Sequence, residues 1–272
     1  LETRLNDLAR RDSADIQRLR RQVAFDRLLC RLFQDSTDQW ILKGGYAMEL
    51  RLEESRTTRD IDLAAWQPVR GASRLSERIL RLLQASAATD LNDFFTFAIG
   101  QSTKDLAGAP YGGARYPVEA RMAGRGFARF HVDVASGDPV LEPVEMVRGR
   151  DWLAFADLAS SCFPMISKEQ QFAEKLHAYT LPRASRINTR VRDLLDMFLL
   201  VRIGMRADRV REAVGAIFAR RNTHPIPAVL PPPPDDWATP FAALAEECAV
   251  DSDMDETFEK VARFLSELKA TT

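Results

Sequence analysis

Cysteine is scarce. Cys30, Cys162 and Cys248 stand far apart, with no spacing that suggests a disulfide framework or a zinc site. Free thiols in a reducing compartment are the expectation. Histidine is as rare, and His131, His177 and His224 show no metal-like grouping. Charge of one sign is missing too: 38 basic residues face 39 acidic ones, for a net charge of -1. That balance argues against wholesale coating of nucleic acid but allows a local basic face. No stretch approaches the roughly 18 apolar residues that a membrane span needs. The opening LETRLNDLARRDSAD carries no apolar secretion segment. Cytoplasm, with no membrane partner, is therefore expected. No repeat recurs at solenoid periods.

What is present suits an ordered globular protein. The 272 residues are 46% hydrophobic and include 15 Phe, enough for one large domain or two modest ones. Residues 1–35 read as helical, with Ile16, Leu19, Val23, Phe25, Leu28, Leu29 and Leu32 at helical spacing. WILK (40–43) reads as a buried strand, followed by a glycine pair and a turn or two of helix. IDLAAW (61–66), FFTFAI (94–99), RYPVEARM (115–122) and FARFHVDV (127–134) read as strands, the last two joined by an AGRG turn. An amphipathic helix is expected over 71–87. Helices follow at 167–180, 189–204, 206–221, 239–249 and 253–269, with Pro231–Pro234 as a stiff break. The expected fold class is α+β. A mixed sheet of about five strands with N-terminal helices occupies 1–150, and a helical domain occupies 151–272. The functional cleft is expected between them.

The chemistry concentrates at Gly44, Gly45, Asp60 and Asp62. In a strand, the Asp60-Ile61-Asp62-Leu63 alternation puts both carboxylates on one face. Two like charges side by side call for a cation, and Mg²⁺ favours a few carboxylates plus phosphate oxygens. Asp133 in FHVDV offers a third carboxylate, which would complete a cradle for one or two ions. A glycine pair lets backbone N–H groups approach a phosphate, with a helix N-terminus behind them. Each feature also has a plain structural explanation: D-x-D is common at strand starts, and Gly-Gly is often only a turn.

In the helical half, Phe172, Leu176 and Tyr179 form an apolar stripe that Lys175 borders. Lys175 either reaches solvent or meets negative charge. Asp193 and Asp196, three residues apart, share a helix face and can serve as a base, an orienter or partners for Lys175. A salt-bridged helix pair satisfies the same pattern. Between residues 183 and 221 ten Arg face four acidic residues, which reads either as a solvated surface or as a track for an RNA backbone. Arg186, Arg190 and Arg192 can instead grip a triphosphate. His177 reads as structural, and Trp40 and Trp66 as core.

Taken together, Leu42-Lys43-Gly44-Gly45, Arg56-Thr57-Thr58-Arg59-Asp60-Ile61-Asp62-Leu63, Glu174-Lys175-Leu176-His177-Ala178 and Arg190-Val191-Arg192-Asp193-Leu194-Leu195-Asp196 resemble the nucleotidyltransferase toxins of the AbiEii type. These belong to the DNA polymerase β-like nucleotidyltransferase superfamily. The resemblance covers roughly residues 38 to 200. It implies Mg²⁺-dependent transfer of a nucleoside monophosphate from an NTP, with pyrophosphate released. It implies Asp60 and Asp62 as the metal pair, with Asp133 where a third carboxylate often falls. Lys175 and Asp196 match catalytic positions, with Asp193 as their neighbour, and Gly44, Gly45, Arg59, Arg190, Arg192 and Asp193 are expected around the nucleotide. The implied role is a toxin that modifies the 3′ acceptor end of tRNA, held in check by a cognate antitoxin. The alternatives are nucleotidylation of a protein hydroxyl and a catalytically inactive scaffold. Two departures stand out: Gly44-Gly45 replaces the usual glycine–serine, and Arg192 replaces a lysine.

Overall fold

A computed structural model of the chain describes residues 1–34, 39–52, 55–66, 75–106, 109–183 and 188–270. Residues 71–74 of the expected helix, and Arg186, lie outside the described residues. The chain divides into two compact units. The first comprises Leu1–Arg51, Thr57–Val140 and Val144–Met165, and the second Leu52–Arg56, Leu141–Pro143 and Ile166–Thr272.

The first unit is built on an eight-stranded mixed sheet. Its strands are β1 (Trp40–Lys43), β2 (Asp60–Ala65), β3 (Phe95–Ile99), β4 (Lys104–Asp105), β5 (Gly113–Met122), β6 (Arg125–Ala135), β7 (Glu145–Arg148) and β8 (Cys162–Met165). Their order is β3-β5-β6-β2-β1-β8-β7, with β4 beside β5. β2–β6 and β1–β8 are parallel, and the other pairs are antiparallel. The five expected strands are present. β4, β7 and β8 are too short to show a period of two. Because β7 and β8 rejoin the sheet, the first unit runs to Met165, past the expected division near residue 150.

Helices α1 (Glu2–Arg11), α2 (Ile16–Leu32), α3 (Gly44–Arg51) and α4 (Leu75–Ala87) belong to this unit. Asp15 caps α2 by accepting the Gln17 N–H at 2.9 Å. Val23, Phe25, Leu28, Leu29 and Leu32 of α2 are fully buried, each burial contributing about 1.5–3 kcal/mol. Phe25 meets Phe130 of β6 and Tyr46 of α3 edge-on, with centroids 4.8 and 4.9 Å apart. The other face of α2 is tied electrostatically. Arg27 and Arg31 both hold the buried Asp93 carboxylate at 2.6 Å, just ahead of β3. Burial opposes the Asp93 charge, but Arg31, the Phe95 N–H and Arg27 outweigh it and lower its pKa.

The second unit is helical: α5 (Lys168–Thr180), α6 (Val191–Arg202), α7 (Ala207–Arg221), α8 (Ala238–Glu247) and α9 (Met254–Ala270). Ser167 caps α5, accepting the Gln170 N–H at 3.1 Å. α5 packs on α6 and α7, and α6 on α8 and α9. The core is made by Phe172, Leu176, Leu194, Leu195, Val210 and Ile217, all fully buried. All five helices fall where the apolar spacing places them.

Candidate active site

The alternation in β2 sorts its side chains. Ile61 and Leu63 are fully buried, while Asp60 and Asp62 stay partly open on the opposite face. Neighbouring strands add to that face by register. Lys43 of β1 lies opposite Asp62, Asp133 of β6 lies on Asp62's other side, and Arg115 of β5 lies beyond Asp133. One row across the sheet therefore reads Lys43–Asp62–Asp133–Arg115. His131 stands beside Asp60 in the next row. The Lys43 ammonium pairs with Asp138 at 3.2 Å.

Asp62 sits against the start of α3. Gly44 has φ +66, and a Cβ there would lie 2.0 Å from Asp62 Oδ2. The Gly45 N–H donates to the same oxygen at 3.3 Å. The glycine pair thus lets the helix start approach the carboxylate closely, and its N–H groups gather at that point. Glu49, one turn along α3, holds the segment that leads into β2. Its carboxylate accepts the Thr58 N–H and takes a 2.6 Å hydrogen bond from Gln22. Burial raises the pKa of Glu49 despite these donors.

Arg115 forks onto Asp133, its Nε and Nη2 each 2.8 Å from a carboxylate oxygen. The same Nη2 lies 3.1 Å from Asp60 Oδ2. Hydrogen bonding to Asp133, helped by the charges of Asp133, Asp60 and Asp62, outweighs desolvation and raises the pKa of Arg115. His131 Nδ1 is 3.2 Å from Asp60 Oδ1. Among the described residues no group of three or more His, Cys, Asp or Glu side chains gathers closely enough to hold a metal ion. The Asp60/Asp62 pair still fits a hard divalent cation. It offers carboxylate oxygens on one strand face, partly open to incoming phosphate oxygens. Beside Asp60 opens a groove of about 760 Å³. Arg21, Arg59, Arg115, Glu119, Arg129 and His131 line it, together with Ala98 and Pro117.

The second unit holds its own cluster. Arg56, from the short segment 52–56, forks onto Asp196 at 3.0 and 2.8 Å. Lys175 Nζ is 2.7 Å from Asp196 and 3.1 Å from Asp193, and Arg190 Nη1 is 3.5 Å from Asp193. Asp196 is fully buried. Burial alone would raise its pKa, but Lys175 and Arg56 bring it down to about 2. Held so, it is a poor proton acceptor near neutrality, and it acts here as an anchor for two cations. Lys175 is likewise desolvated, yet Asp196 and Asp193 keep it charged, with a raised pKa.

Of the expected nucleotide residues, Arg59 is exposed and lines the groove, while Arg192 is exposed on α6. The arginine-rich helices are partly self-neutralised. Arg206 pairs with Asp208, Arg209 with Glu212, and Arg221 with Glu174. His177 is structural, bonded to Thr223 at 2.9 Å and packed edge-on against Phe218. Sequence reasoning gave no role to Arg56, Arg115 or His131. Arg56 was visible only as part of a motif. Arg115 and His131 become part of the site through strand register, which no local pattern reveals.

No helix among the described residues is long and apolar enough to cross a membrane. Residues 27–266 match the family described as nucleotidyl transferase AbiEii toxin, type IV TA system. MenT4, a nucleotidyltransferase toxin from Mycobacterium tuberculosis H37Rv, is similar in structure, with a TM-score of 0.57 at 20% identity over 92% of this chain and 90% of that one. JHP933 from Helicobacter pylori gives a TM-score of 0.50 at 14% identity, over 90% and 89% of the two chains. No curated protein matches. At such identities the two structures speak for the fold, while the family match spans most of the sequence. The chain belongs to the AbiEii nucleotidyltransferase toxin family.

Proposed function

We propose that this protein is a toxin that transfers a nucleoside monophosphate from an NTP to the 3′ end of tRNA and so blocks translation. The observation that carries this reading is the seating of Asp62 against Gly44 and Gly45. It sets a carboxylate suited to a metal ion beside a helix start suited to a phosphate, which supports this reading. Mg²⁺ bound by Asp60 and Asp62 would neutralise the triphosphate and stabilise the leaving pyrophosphate. The Gly45 turn orients the phosphates. Lys175, kept charged by Asp196 and Asp193, is a fixed cation within the second unit. In the transfer, the acceptor hydroxyl oxygen bonds to the α-phosphorus as the bond to the α,β-bridging oxygen breaks. Pyrophosphate leaves with that electron pair, and the hydroxyl proton passes to solvent.

The groove beside Asp60 suits the acceptor's terminal nucleotides. Its arginines suit phosphates, and Ala98 and Pro117 suit a base or ribose.

Total tRNA and periodate-oxidised tRNA, which lacks the 3′ diol, are incubated with Mg²⁺ and each α-labelled NTP in turn. Label on intact tRNA alone is expected, and the best donor names the nucleotide. Label on oxidised tRNA would move the acceptor hydroxyl elsewhere. Label on protein would replace tRNA with a protein hydroxyl.

A further inference from the structure

The three carboxylates of the sheet face do not stand alone: a guanidinium from the same sheet is set among them. Arg115 and Asp133 are direct cross-strand partners, so backbone pairing holds the two side chains together. The contact is a two-point fork at 2.8 Å, and it reaches Asp60 at 3.1 Å. Asp133 is only 12% exposed, so water competes weakly for it. The guanidinium thus already places a positive charge between Asp60 and Asp133, where a second ion would have to displace it.

We infer that Arg115 is a resident cation that takes the place of a second metal ion between Asp60 and Asp133, leaving one divalent ion on Asp60 and Asp62. This rests on the nucleotidyltransfer reading above. Asp133 is then a positioning residue: it aims Arg115 and does not ligate metal. A guanidinium neutralises charge and donates fixed hydrogen bonds, but it cannot coordinate and acidify a hydroxyl as a metal ion does. Ion dependence should therefore be that of one site.

The test is electron paramagnetic resonance with Mn²⁺ in place of Mg²⁺, in the presence of an α,β-methylene NTP that cannot be cleaved. Two Mn²⁺ ions about 4 Å apart, as in two-metal sites, couple magnetically and are distinguished from one. Wild type is expected to bind one uncoupled ion per protein–nucleotide complex, beyond what an Asp60→Asn, Asp62→Asn double variant holds. Arg115→Gln is expected to admit a second, coupled ion, and Arg115→Lys, which keeps the charge, is not. A coupled pair in wild type would overturn the inference and leave the nucleotidyltransfer reading standing. One ion in all three proteins would also overturn it, since the position would then be no ion site. No protein-bound ion in wild type would remove both readings together. If Arg115→Gln does not fold, a coupled pair in Arg115→Lys counts against the inference, and a single ion in wild type and Arg115→Lys supports it.

Discussion

Replacing Gly44 with alanine separates the demands of its backbone from those of its neighbour. Gly44 and Gly124 both have positive φ, +66 and +77. An alanine at either position carries the left-handed backbone cost, about 1–2 kcal/mol. At Gly124 nothing lies within 4 Å of the new Cβ, so the cost ends there. At Gly44 the new Cβ meets Asp62 Oδ2 at 2.0 Å, Cγ at 2.5 Å and Cβ at 2.6 Å. Turning the Asp62 side chain relieves the first two contacts but not the third, because the Asp62 Cβ is fixed to β2. The strand or the helix start has to move, which costs about 1–3 kcal/mol more. Gly44→Ala is thus expected to lose about 2–5 kcal/mol in urea unfolding, and Gly124→Ala about 1–2 kcal/mol. Activity should divide them more sharply. A displacement on the order of 1 Å at a reacting centre costs roughly 100-fold, so label transfer per folded molecule should fall at least that much in Gly44→Ala and stay near wild type in Gly124→Ala. Equal transfer by the two variants would refute the proposed role of the Gly44–Asp62 contact.

Three further perturbations test the buried charges. Asp26 lies beneath α3, accepting hydrogen bonds from the Tyr46 hydroxyl and, at 3.0 Å, the Arg150 N–H, yet burial raises its pKa to about 7. A raised carboxylate pKa means that stability falls as pH climbs from about 4 to about 7, by up to about 4 kcal/mol. Asp26→Asn should therefore gain on wild type between pH 5 and pH 8 in urea unfolding, and parallel curves would sink this. Asp196 shows the opposite sign. Its pKa of about 2 gives stability that is present above about pH 4 and lost toward pH 2, about 2.5 kcal/mol. Asp196→Asn should cost about 3–5 kcal/mol at pH 7, because Arg56 and Lys175 are left facing each other, and a stable variant would contradict the anchor role. Asp93→Ala should cost a similar 3–5 kcal/mol by stranding Arg27 and Arg31. Its transfer per folded molecule should be unchanged, since this cluster is away from the sheet's carboxylate face, and a specific loss of transfer would give it a role in the reaction.

The sequence disclosed those parts of the molecule whose signal is local. Helical spacing placed α5 to α9 within a few residues, and the Asp60–Leu63 alternation gave the face of both carboxylates. β7 and β8 were missed because EMVR and CFPM are four residues each, with a proline in the second. They join the sheet through pairing with each other and with β1, information that lies far away in the chain. The Lys175–Asp193–Asp196 contact was one of the readings the spacing allowed, and it is made. Its fourth member, Arg56, comes from 140 residues earlier in the chain. The same limit applies to Arg115. Its place beside Asp133 depends on the β5–β6 register, which includes a shift at Ala120/Arg121 that alternation alone does not show. Asp133 was legible as a third carboxylate, but the cation it faces was not.

The most direct measurement compares wild type with Asp60→Asn, Asp62→Asn for transfer of α-labelled nucleotide to tRNA with Mg²⁺. Asparagine keeps the shape of each side chain and removes the charge that holds the ion. Both proteins are first shown to be folded by thermal melting. Labelled tRNA with wild type, and a loss of at least 1,000-fold with the double variant, about 4 kcal/mol of transition-state stabilisation, is the expected result. Labelling that survives in the double variant would contradict the claim that these two aspartates carry the reaction.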